Sequence, residues 1–139
     1  MRGSTSVERP GTGLGPEFQI LDDNLHPDAS EGVNGNRTTA SLYDLITAEN
    51  LSEGDAHRRM RPPGQWNRLQ IVVQGGHVEH WLNNPKMMEY DRHSQIFHNL
   101  VAKSKYNTYT NFAQAPAGHI LLQDHGNEVH FRSIKIRAL

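Results

Sequence analysis

Residues 66–84, "WNRLQIVVQGGHVEHWLNN", alternate apolar and polar side chains on both sides of a Gly75–Gly76 pair. In extended chain, Leu69, Ile71 and Val73 share one face of the first run. Val78, His80 and Leu82 share one face of the second, with His77, Glu79 and Trp81 opposite. A two-glycine connection between two such runs predicts a β-hairpin, because tight hairpin turns need the positive φ that glycine adopts freely. Beyond Asn84 and Pro85, "KMMEY" extends the hairpin into a three-strand meander.

The flanks carry the same signal more weakly. "PEFQIL" (16–21) sets Phe18 and Ile20 on one face and Glu17, Gln19 and Leu21 on the other, which predicts a strand with a polar face. "SLYDLI" (41–46) reads as the next strand. Residues 22–39 between them are rich in Asp, Asn, Gly and Pro, and predict a long loop of the sort that often carries function. Between His93 and Lys103, Ile96, Phe97, Leu100 and Val101 recur at helical spacing and predict one short amphipathic helix. Residues 118–137, "GHILLQDHGNEVHFRSIKIR", predict a closing hairpin with Gln123, Asp124 and His125 at its tip. Its alternation slips by one between Phe131 and Ile134, as a β-bulge would make it do. Short antiparallel strands separated by turns make an all-β sandwich the expected fold class. Residues 1–14, rich in Gly, Ser, Thr and Pro, predict a flexible arm whose "MRGS" start looks like an expression leader. Residues 15–139 then form a single domain.

Composition narrows the function classes. A chain of 139 residues has room for one core, and with 35% hydrophobic residues that core is modest. A net charge of -1 and a pI near 6.7 supply no field that would draw nucleic acid or anionic lipid. With no cysteine there is no disulfide or thiolate chemistry. No apolar run approaches the roughly 20 residues of a membrane span and the N-terminus has no apolar signal core, so a soluble chain is expected. "HRRMRPP" (57–63) lacks interleaved aromatics and reads as a solvated basic loop. There is no phosphate-binding glycine loop and no nucleophile elbow. Histidine, at 9 residues, is the compositional outlier and favours a metal or proton-transfer site.

Five segments in order, "GPEFQILDD", "SLYDLI", "PPGQWNRLQIVVQGGHVEHWLNN", "VAKSKY" and "GHILLQDHGNEVHFRSIKIRAL", resemble the bacterial family of 3-keto-disaccharide hydrolases, formerly a domain of unknown function. The similarity runs from about Gly15 to Leu139, and "QDHG" is its most telling element. The resemblance implies a concanavalin-like jelly-roll β-sandwich whose concave sheet holds a sugar. It also implies cleavage of glycosides carrying a 3-keto group, help from a divalent cation, and a bacterial periplasmic or secreted setting. The family's opening strands, one ending in an "NSG"-like motif, have no counterpart, so a sandwich truncated at its N-terminus is expected. Its uncovered faces and edges predict a homodimer or higher homo-oligomer.

The candidate residues follow from both readings. Glu17 and Gln19 share the polar strand face that lines the cleft in the family. His125, with Asp124 and Gln123, sits at the hairpin tip, where an imidazole can move a proton near neutral pH; Asp124 serves either in the chemistry or in capping the turn. Glu17, His125 and Asp124 are thus the catalytic candidates. Gln19, Tyr43, Trp81, Gln123 and Arg132 are the sugar-binding ones, Trp81 by stacking on a pyranose face. His80 is either a hydrogen-bonded core histidine or a ligand, and matches the family's "HW" pair. Glu17, His80 and His125 together form a mixed N/O set for Zn, Mn or Ca. The expected function is a metal-assisted hydrolase or lyase of 3-keto-glycosides. The alternatives are a metal-dependent hydrolase of other esters, such as phosphoesters, and a non-catalytic carbohydrate-binding module.

Overall fold

The computed structural model describes residues 14–48 and 60–139. The expected arm over 1–14, except Leu14, and the first part of the basic loop at 57–63 lie outside the described residues. The centre of the fold is the expected meander: β1 (Leu69–Gln74), β2 (His77–Leu82) and β3 (Lys86–Asp91), antiparallel in the order β1-β2-β3. Gln74 pairs with His77 across the Gly75–Gly76 turn, and Gly75 has φ 61°. Gly76 is needed for another reason, since a Cβ there would lie 2.5 Å from Asp91 Oδ1 and 2.7 Å from His93 Nδ1.

The alternation of β2 is realised residue by residue, with Val78, His80 and Leu82 buried and His77, Glu79 and Trp81 half-buried on the outer face. In β3 the register slips, His80 facing Met88 and Trp81 facing Lys86. The extra residue lets consecutive Met87 and Met88 both turn inward, as bulges do. The sequence shows no slip at this point, because two adjacent methionines fit either register.

Helix α1 (Gln95–Lys103) begins where expected. The Ser94 hydroxyl accepts from the Phe97 backbone N–H at 3.1 Å, an N-cap. Phe97 is fully buried and Leu100 and Val101 pack beside it, one face of the helix at the i, i+3, i+4 spacing. Ile96, expected on that face, falls off it and is 74% exposed. Phe97 stacks on Tyr90 of β3 at 5.5 Å between centroids, so the helix is anchored to the sheet through two aromatic rings. A 3-10 turn at Lys105–Thr108 follows and buries Tyr106 against Phe112.

The flanking expectations need correction. "PEFQIL" and "SLYDLI" are not ladder strands; they touch through a single antiparallel bridge, Phe18 to Leu42. Residues 41–46 fold back on themselves, Leu42 and Ile46 exchanging both backbone hydrogen bonds. Left-handed backbone at Ala40 and Asp44 (φ 69° and 61°) makes that reversal possible and buries Leu42 and Leu45 together. The alternation of 16–21 also breaks, for Gln19 is buried and Ile20 is exposed.

Residues 118–139 contain the expected turn, with Gly126 at φ 86°, but no strand ladder forms on either side of it. Ser133, at the predicted slip, takes φ 54°. An isolated pair of strands is marginal in water, and Ile120, Leu121, Ile134 and Ile136 of this segment find no apolar cover among the described residues. One sheet and one α-helix are therefore described, where two stacked sheets were expected. Phe97→Ala is expected to lower the free energy of unfolding by about 3–5 kcal/mol in a urea titration, while Ile96→Ala on the exposed side of α1 changes it by less than about 0.5 kcal/mol.

Candidate active site

The bridge between the two irregular segments sets the site. Tyr43 N–H donates to Glu17 O at 3.0 Å and Gln19 N–H to Ser41 O at 3.1 Å. With Phe18 opposite Leu42, this register puts Glu17 beside Tyr43 on one side of the pair and Phe18 beside Leu42 on the other. Phe18 faces inward and stacks on His80 at 4.7 Å, so Glu17 and Tyr43 are directed away from that stack.

Two cations embrace the Tyr43 ring. Lys105 Nζ lies 3.9 Å from its centroid and Arg37 Cζ 5.3 Å. Arg37 ties the loop down from three directions, through Nη1 to Asp28 Oδ1 at 2.8 Å, Nη1 to Glu31 Oε2 at 3.1 Å, and Nε to Asp44 Oδ1 at 2.9 Å. The Lys105 backbone N–H donates to Asp44 Oδ2 at 3.3 Å, and the Tyr43 hydroxyl hydrogen-bonds Asp28. Loop 22–39, the 41–46 turn and the start of the 3-10 turn at Lys105–Thr108 thus share one charged network.

Its groups are displaced from their ordinary proton affinities. Burial pushes the Glu17 carboxyl up, against the opposing pull of Lys105 and then His125. Burial also pushes the Lys105 ammonium down, against Glu17 and Asp44. The Tyr43 phenol is pushed up to about 12 by burial and by its bond to Asp28. Burial alone would raise Asp28, but hydrogen bonds from Tyr43 and Arg37 outweigh it and hold the carboxyl low. A carboxyl moved up and an amine moved down in one half-buried patch are poised for proton exchange nearer neutral pH.

Of the residues singled out from sequence, Glu17, Tyr43 and His125 come to this region; the field of His125 reaches Glu17. Gln123 Nε2 lies 3.0 Å from His125 Nε2 and steadies that ring. Asp124 Oδ1 accepts from Gly126 N–H at 2.9 Å, the turn-capping alternative. Gln19 is buried with its amide oxygen on Ile20 N–H. Arg132 lies elsewhere, its guanidinium 3.9 Å over the Trp66 ring. Trp81 is on the outer face of β2, its Nε1 donating to Glu79 Oε2 at 2.8 Å. Sequence reasoning did not single out Lys105, Arg37, Asp28 or Asp44. The available signals were the "VAKSKY" segment, which contains Lys105, and the polar loop holding Asp28 and Arg37.

The donor set expected from sequence, Glu17, His80 and His125, does not come together as ligands for a divalent ion. His80 is 2% exposed, bonded through Nδ1 to Ala40 O at 2.8 Å, and packed between Phe18 and Tyr90. It serves as a core residue and forms no close trio of ligand atoms with Glu17 and His125. Among the described residues, His77, Glu79 and Glu89 do bring ligand atoms within 4.8 Å of one another. Lys86 already stands among them, its Nζ 2.5 Å from Glu89 Oε2 and 3.4 Å from Glu79 Oε1. An ammonium there supplies the positive charge that a metal would.

The chain belongs to the family of 3-keto-alpha-glucoside-1,2-lyase-like domains, whose model matches residues 4–137. It is 34% identical over 134 residues to a 3-keto-disaccharide hydrolase of Bacteroides thetaiotaomicron, a match covering 89% of this chain and 44% of the relative. The chain thus spans less than half of that relative's length. A crystal structure of a candidate glycosyl hydrolase from Parabacteroides distasonis superposes with a TM-score of 0.60 at 26% identity, over 73% of this chain and 46% of the other.

Burial lowers the proton affinity of His80, so the fold holds it neutral while the unfolded chain protonates near pH 6.5. Stability tied to this group is present above that pH and lost as pH falls below it. His80→Asn, which can keep a donor toward Ala40 O, is expected to flatten the fall in Tm between pH 7.5 and 5.5. An unchanged pH slope would show that His80 is not its source.

Proposed function

We propose that Glu17, Lys105 and Tyr43 break a glycosidic bond in a sugar bearing a 3-keto group, on a concanavalin-like jelly-roll scaffold of which β1–β3 form part. The observation that carries this is the placement of Lys105 Nζ 3.9 Å from the ring centroid of Tyr43, whose backbone N–H is bonded to Glu17 O. The name of the Bacteroides relative and the family membership support the substrate class.

The ketone at C3 acidifies the C2–H of such a sugar. Glu17, made more basic by burial, takes that proton; the electron pair becomes the C1=C2 bond as the C1–O bond breaks. The departing oxygen receives a proton from Lys105, whose ammonium burial has made a readier donor. Tyr43 stays protonated at neutral pH and orients the ring through its hydroxyl and edge. His125 lies on the open side. Addition of water across C1=C2 makes the net reaction a hydrolysis; release of the enone makes it a lyase reaction. No step requires a divalent ion, so turnover in EDTA is the expected result. Loss of turnover that Zn, Mn or Ca restores would return an ion to the mechanism.

On a 3-keto-glucoside, Glu17→Gln and Lys105→Met are each expected to lower kcat by about 10²–10⁴-fold. The wild-type pH–rate profile should rise with a midpoint above about 4.3 and fall with one below about 10.4, the ordinary Glu and Lys values, each limb disappearing with its residue. Sugar binding with no turnover under any condition would instead support a binding module. The exposed apolar residues of 118–139 and of edge strand β1, where Ile71 and Val73 are half open, support a homodimer. Light scattering at micromolar concentration should give twice the chain mass of 15.7 kDa, and a monomer would refute that.

A further inference from the structure

The outer face of the sheet, opposite His80, carries a recess of about 150 Å³ lined by Arg68, Gln70, Trp81 and Asn84. Gln70 is the register partner of Trp81, so the recess spans β1 and β2. We infer that it is a second sugar-binding site, one that grips a single pyranose ring through the indole of Trp81, away from the reacting bond.

Trp81 Nε1 is already satisfied by Glu79 Oε2, which fixes the ring where it lines the recess. A pyranose presents an apolar C–H face and a rim of hydroxyls, which suits an aromatic plane edged with planar polar groups. Those groups are present and unengaged. Among the described residues, the guanidinium of Arg68 and the amides of Gln70 and Asn84 have no hydrogen-bond or ion-pair partner.

The rim is also held rigid. Asn83 N–H donates to Arg68 O at 2.9 Å, Arg68 N–H to Asn83 Oδ1 at 2.8 Å, and Asn83 Nδ2 to Asn67 Oδ1 at 2.7 Å. Asn84 has φ 108°, a conformation that only glycine adopts without strain, yet the position keeps an amide at the edge of the recess. Strain retained where a side chain lines a recess is a mark of use. Ligand pockets for drug-sized molecules run to about 300–1,000 Å³, so the smaller volume of about 150 Å³ suits one ring.

The sugar class rests on the glycoside reading above, but the site lies on the other face of the sheet from Glu17, so the two can fail separately. Amide NMR of ¹⁵N-labelled protein during titration with maltose and with glucose tests it, Trp66→Phe identifying the Trp81 indole N–H signal. A saturable shift of that signal and of the Gln70 and Asn84 side-chain amides is expected. Trp81→Ala should weaken the binding about tenfold or more. Asn84→Gly should weaken it too while leaving Tm unchanged or higher, because it relieves the backbone; a merely structural Asn84 would not give that combination. Absence of a saturable shift, or a saturable shift surviving both substitutions, overturns the inference. In Glu17→Gln the shift should persist. A persistent shift without wild-type turnover would count against the catalytic reading alone, and turnover without a shift against the recess alone.

Discussion

The rest of the structure depends on the hydrogen bond from His80 Nδ1 to Ala40 O, 2.8 Å long and fully buried. It joins a regular sheet to an irregular segment with little secondary structure of its own. Phe18 stacks on one side of the imidazole and Tyr90 meets it edge-on at 5.8 Å from the other, so three stretches of chain converge on one ring. A buried polar group left without its partner costs roughly 1–3 kcal/mol, which makes the position of Ala40 as fixed as that of β2. Ala40 N–H in turn donates to Gln19 O, and through that pairing Glu17 is held beside Tyr43.

From this anchor the charged network gains its chemical character. Arg37 is a hub for Asp28, Glu31 and Asp44, and with its partners committed to one another the loop 22–39 has few alternatives. Glu17 and Lys105 are left as the groups whose charges are only partly matched, and burial moves both toward neutrality. The other ionic cluster, on the outer sheet face, differs in kind. His77, Glu79, Lys86 and Glu89 are more open to water, and ion pairs in that setting contribute little to stability. Their clearest effect is to fix Glu79, which fixes the Trp81 ring.

Among the described residues, Ile71 and Val73 of β1 and the apolar residues of 118–139 are left exposed. The closing segment shows why: its turn forms from Asp124 and Gly126 alone, whereas its ladder does not form without a layer to pack on.

The sequence by itself determined the meander, its Gly75–Gly76 turn, the helix after Ser94 and the inward face of β2, since each is written in a local period or a local cap. It also marked Glu17, Tyr43 and His125. Only the tertiary structure decided that Lys105 and Arg37 join them and that His80 is a core residue. Those outcomes hang on left-handed residues at 40 and 44 and on contacts spanning 40 and 61 residues of chain. A period of two or of 3.6 carries no information about either, because it describes neighbours along the backbone and not those that meet across it.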